Sequence, residues 1–115
     1  TRDTAFGEDD HRNYNRQGEA FDVGETFSGV PFEVGLDAVE ELRPLVPEGA
    51  TLAQLALRWI LTFDAVSTVI PGAKTPEQVR ANAAAADLPA PSPETMERIA
   101  EIYRRRVAPL VHQRW

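Results

Sequence analysis

The stretch from Thr51 to Phe63 narrows the fold of this chain more than any other. Thr51-Leu52-Ala53-Gln54 is a capping box, in which the Thr hydroxyl and the Gln amide satisfy N–H groups left open at a helix start. Behind it, Leu52, Leu55, Ala56, Trp59, Ile60 and Phe63 recur at i, i+3, i+4, i+7, i+8 and i+11, a complete apolar stripe. The pattern predicts an amphipathic helix with Trp59 in the core.

The flanking segments are cut by proline and glycine, 16 residues in all, clustered at junctions rather than in a low-complexity tract. From Gly35 the pattern is helical, with Leu36, Val39, Leu42 and Val46 near one face and Asp37, Glu40 and Glu41 on the other. Pro44 should end or kink that helix, and Pro47-Glu48-Gly49 breaks the chain. After a turn at Thr62 to Ala65, Ser67-Thr68-Val69-Ile70 is a short β-branched run closed by Pro71-Gly72 and reads as one buried strand. Thr75-Pro76-Glu77-Gln78 then opens a third helix, Thr as N-cap, Pro at N1 and Gln at N3, that ends near Asp87. Leu88 to Pro91 is a stiff connector. Ser92-Pro93-Glu94 caps a fourth helix with Met96, Ile99, Ala100, Tyr103 and Val107 on one face, stopped by Pro109.

Residues 1–30 show no period and read as a long polar loop, of a length that in compact domains usually serves as a lid or binding loop. Residues 31–107 hold the helices and the strand, and residues 108–115 an aperiodic apolar tail. At 115 residues and 43% hydrophobic, the chain suits one globular domain. A formal charge of −6 repels polyanions and argues against nucleic acid. Arg104-Arg105-Arg106 reads more simply as cations relieving the negative end of a helix dipole than as an anion site. With no cysteine there is no disulfide, thiolate metal site or cysteine nucleophile. Leu55 to Phe63 is far too short to span a membrane and is interrupted by Arg58. The start at Thr1, without Met or a signal-peptide core, suggests a cut chain.

Strand, Pro-Gly turn and capped helix have a direct chemical use. A helix amino end offers unpaired N–H groups and partial positive charge to a phosphate. Gly72 lets backbone and ligand approach closely. Lys74, the only lysine, adds a full charge, and Gln78 and Asn82, four apart, point two amides the same way. On physics alone, a turn that merely redirects the chain is the stronger reading, because short motifs of this kind match by chance.

The whole string from Thr51 to Asn82, TLAQLALRWILTFDAVSTVIPGAKTPEQVRAN, resembles the final barrel unit of the aldo-keto reductases. In them an xLAxxALxW helix precedes a strand ending in IPGA and a TPEQVxxN helix. More loosely the resemblance reaches Gly35 to Leu42 and Ser92 to Arg106. It implies an α/β chain by descent, the carboxy-terminal part of a (β/α)8 TIM barrel, itself mainly α with about four helices and one short strand. It also implies a cytoplasmic NADPH-dependent enzyme that reduces a small-molecule carbonyl substrate. Carried over by motif position, Ile70, Pro71, Gly72 and Ala73 form the cofactor turn, with Lys74 at the adenosine 2′-phosphate and Gln78 and Asn82 at ribose and adenine. Many members have Lys-Ser in place of Gly72-Ala73 and Arg in place of Gln78. Phosphate contacts here then rest on backbone and Lys74, and preference for NADPH over NADH is weaker.

The family's catalytic tyrosine, lysine, aspartate and histidine lie on earlier strands, and nothing in this chain matches their motifs. Tyr14 falls in the loop and Tyr103 on a core face; His11 and His112 suit surface or packing roles, and Asp9 and Asp10 should diverge. Phe21, Phe27 and Trp115 are weak candidates for covering a pocket. Two other readings stay open: a non-enzymatic helical or cofactor-sensing module of the same fold, and a stand-alone phosphate or nucleotide binder. Helix stripes shaped to cover a sheet predict a large exposed apolar surface on the isolated chain, or self-association.

Overall fold

A computed structural model describes residue 5, residues 7–15 and residues 27–114 of the chain. Among these, α-helices are α1 (His11–Tyr14), α2 (Phe32–Leu42), α3 (Leu52–Ile60), α4 (Pro76–Ala84), α5 (Pro93–Ile102) and α6 (Ala108–Val111). They divide between two compact units, one of Leu42–Ile99 and one of Thr1–Glu41 with Ala100–Trp115.

In the unit of Leu42–Ile99, the helix starts follow their caps. The Thr51 hydroxyl accepts from Gln54 N–H at 3.2 Å and Thr51 N–H donates to Gln54 Oε1 at 2.9 Å, so the capping box is closed in both directions. Leu55 is buried, but Trp59 is half-buried and Ala56 exposed, which corrects the expectation of a covered stripe. Trp59 instead meets Phe63 edge to face, with ring centroids 5.0 Å apart, and Phe63 remains 43% exposed. The Arg58 guanidinium holds the connector in place by donating to Leu88 C=O at 2.7 Å.

Ser67–Ile70 is not a strand, and none forms among the described residues. A strand needs a neighbour to take its alternate N–H and C=O groups, and no second strand forms among the described residues to do so. Val66 to Ala73 is irregular, and Ile70, expected inside, is 92% exposed. α4 follows as expected, continued by a 3-10 turn at Ala85–Asp87 whose Ala85 is fully buried.

In the other unit, Leu36 and Ala38 of α2 are buried, and the helix starts at Phe32, three residues before the glycine where its apolar pattern begins. Phe27, at φ 53°, packs its ring on Phe32 with centroids 5.0 Å apart. Phe21 and Trp115 lie outside the described residues. Ile102 is the buried residue of α5, and Tyr103, assigned to a core face, is 37% exposed and shares a 2.9 Å hydrogen bond with His112 Nδ1. Nor does Pro109 stop the helix. A π turn at Tyr103–Val107 widens the coil, and Pro109 then sits in the first turn of α6, where its missing N–H costs nothing. The tail is thus helical to Val111, which is buried, and continues as a 3-10 turn at His112–Arg114.

The arginine run does more than face a helix dipole. Arg105 Nη1 and Nη2 grip the two oxygens of Glu41, Nη1 at 3.1 Å, and Arg106 Nε adds a bond to Oε1 at 2.8 Å. These hydrogen bonds, from Arg105 first and then Arg106, hold the Glu41 carboxyl down to about 2.

Candidate functional site

α4 is placed from both ends of the unit's local hydrogen bonding. Gln54, besides closing its own cap, donates from Nε2 to Ala81 C=O at 3.0 Å, which ties the start of α3 to the last turns of α4. Thr75, at extended φ and ψ, accepts from Gln78 N–H on its hydroxyl oxygen at 3.3 Å, and Pro76 occupies the first turn.

The turn ahead of this helix is held by the same two amides that stood as ligand readers. Gln78 Oε1 accepts from Lys74 N–H at 2.6 Å, and Asn82 Nδ2 donates to Gly72 C=O at 3.3 Å. Sequence position thus brings Gly72, Ala73, Lys74, Gln78 and Asn82 together as one small constellation. Ile70 and Pro71 lead into it as exposed chain. Gln78 Nε2 and Asn82 Oδ1 are the atoms of the two amides outside these bonds.

All residues from Ile70 to Val79 are exposed, Asn82 is half-buried, and the turn lies on an open surface. Among the described residues, chain neighbours aside, nothing lies within 4 Å of where a Cβ on Gly72 would project, so that face of the backbone is open to an incoming group. The Lys74 ammonium makes no ion pair among the described residues. Nearby, Arg80 Nη2 is paired with Glu77 Oε1 at 2.9 Å, which largely cancels that cation. First-turn N–H donors are fewer than a generic helix start provides: Pro76 has none, and that of Gln78 is taken by Thr75. A phosphate here would meet one full charge and the Glu77 N–H rather than a ring of amides.

Sequence reasoning missed two features of this site. Gln54 looked fully used by its own capping box, and nothing in the spacing shows its second bond 27 residues away. Glu77 and Arg80 stand three apart, a spacing that does permit a helix ion pair. A separate apolar groove is lined by Leu45, Pro47, Leu55, Leu88 and Pro91 with Arg58, and shares no residue with the turn. Among the described residues no three His, Cys, Asp or Glu side chains gather as a metal site, and no helix is long and apolar enough to cross a membrane.

The sequence profile of the Aldo/keto reductase family matches residues 1–104, nine-tenths of the chain. The chain belongs to the aldo/keto reductase family. The match includes residues 1–30, which the sequence pattern alone read as a long polar loop. Aldo/keto reductases are TIM-barrel oxidoreductases that generally use NAD(P)H on small-molecule carbonyl substrates. Searches of curated proteins and of solved structures find no match.

Proposed function

We propose that this aldo/keto reductase chain supplies the adenosine end of an NADPH site, as the carboxy-terminal part of a cytoplasmic carbonyl-reducing barrel. The observation that carries the reading is the turn itself. Gly72 to Lys74 is braced from α4, its backbone face is open, and Lys74 brings an ammonium without an ion pair among the described residues in a chain of net charge −6.

NADPH, when bound, supplies the hydride that reduces an aldehyde or ketone. Lys74 would hold the 2′-phosphate, with help from the Glu77 N–H, and Gln78 Nε2 and Asn82 Oδ1 would face ribose and adenine. Proton donation to the carbonyl oxygen belongs to residues outside this sequence, since no tyrosine here sits in the family's catalytic motif.

Titration of the chain with NADPH, followed by the cofactor's fluorescence, tests the reading. Saturable binding that weakens in Lys74→Ala supports it; saturable binding unaffected by that change removes Lys74 from the site. A non-enzymatic, cofactor-sensing module of the same fold is the second reading, since the turn at Gly72 to Lys74 would serve it equally. Inspection of the parent protein for the Asp, Tyr, Lys and His of the tetrad separates the two.

A further inference from the structure

The apolar groove of the Leu42–Ile99 unit combines two things that the cofactor turn does not use, a preformed hydrocarbon lining and a single guanidinium. Leu45, Pro47, Leu88 and Pro91 are half-buried along its walls over a buried Leu55, so apolar surface stays open there. The rings of Pro47, Pro89 and Pro91 each fix a backbone angle, so little order is lost when something enters.

Arg58, half-buried on α3, is the one charged side chain of this lining among the described residues. Its Nε donates to Leu88 C=O at 2.7 Å, which holds the guanidinium against the connector. Nη1 and Nη2 take no partner among the described residues, yet neither is sealed from solvent. The outer edge of the fork is thus anchored and still has its donors to give.

Two parallel N–H donors on a guanidinium edge match the two oxygens of a carboxylate. Phosphate suits the groove less, because a dianion brings a third oxygen and a second charge where the lining offers no second cation. The walls add a requirement for hydrocarbon, and the volume of about 120 Å³ limits its size. A dry cavity of about 150 Å³ takes benzene, so roughly four or five carbons fit here.

We propose that this groove binds a short branched aliphatic monocarboxylate, with Arg58 pairing its carboxylate and Leu45, Leu55 and Leu88 receiving its hydrocarbon end. The site shares no residue with the turn from Gly72 to Asn82 and stands whether or not that turn holds a cofactor.

Isovalerate, an isobutyl group on a carboxylate, is the probe, titrated into the full labelled chain and followed by NMR. The Arg58 Nε signal and the methyls of Leu45, Leu55 and Leu88 should move together and saturate, with a Kd on the order of 10 mM or below. Acetate has the charge without the tail, isovaleramide the tail without the charge, and each should bind about tenfold more weakly. No saturable shift at the groove overturns the proposal. Equal binding of acetate makes Arg58 a bare surface cation, equal binding of isovaleramide makes the groove an apolar hollow, and either result overturns it too.

Arg58→Met should abolish the preference for isovalerate over isovaleramide. Because Arg58 also anchors Leu88, Ala90→Glu is the companion variant: it leaves that bond in place and sets a competing carboxylate on the exposed rim. Isovalerate should weaken about three- to tenfold there, with isovaleramide unchanged. If Arg58→Met loses its helices by circular dichroism, Ala90→Glu decides, and unchanged isovalerate binding in it overturns the pairing with Arg58.

Discussion

Lys74 is the one lysine of a chain with net charge −6, so its removal takes away the main attraction the turn can offer an anion. Lys74→Ala should cost about tenfold in affinity for NADPH and much less for NADH, whose ribose lacks the phosphate. Isothermal titration of both nucleotides reads this directly, and equal losses would show that Lys74 does not touch the phosphate. Thr75 is the hinge between turn and helix. Thr75→Ala removes the acceptor for Gln78 N–H and should destabilise the unit by about 1 kcal/mol, seen as a lower urea midpoint. These residues were legible because caps and glycine turns leave local signatures. The bonds from Gln78 and Asn82 back to the turn were not, because an amide's sequence position does not say whether it turns to a ligand or to its own backbone.

At the scale of elements, α3, α4 and α5 begin at the capping residues Thr51, Thr75 and Ser92, where short-range hydrogen bonding decides the start. Pairing and continuation were harder to read. Ser67–Ile70 has the β-branched composition of a strand, but composition reports a preference and a ladder needs a second strand. Pro109 reads as a stop only if the coil before it is α-helical, and the π turn at Tyr103–Val107 changes that premise. The arginines of that turn give the unit a pH dependence. Glu41 has its carboxyl lowered to about 2 in the folded chain by Arg105 and Arg106, from an ordinary value of 4.5. Its contribution is therefore complete above pH 4.5 and lost as pH falls through about 2. Glu41→Gln should flatten the acid limb of the stability profile over that window, measured by urea denaturation at stepped pH. An unchanged acid limb would show that the pair adds nothing in solution.

For the whole molecule, the decisive feature is apolar surface left uncovered. Ile70 is 92% exposed, Val79 57% and Phe63 43%, in a chain whose α3 stripe is only partly buried. The family's fold covers such helices with a sheet, and no strand forms among the described residues. The isolated chain should therefore self-associate as its concentration rises, and Ile70→Asp should reduce that association in sedimentation velocity. A monomer at every concentration would count against it. Membership of the family was legible because the string from Thr51 to Asn82 is specific in wording and spacing. Core placement was expected for Trp59 and does not hold, because no strand forms among the described residues to cover the stripe.

The most direct test is an NMR titration of the 15N-labelled chain with NADPH up to concentrations on the order of millimolar, where even weak binding moves amide signals. The amides of Gly72, Ala73, Lys74 and Glu77 should shift together and saturate, with smaller shifts for NADH. Shifts centred instead on the groove of Leu45, Leu55 and Leu88, or no saturable shift at the turn, would contradict an adenosine site at Gly72 to Asn82.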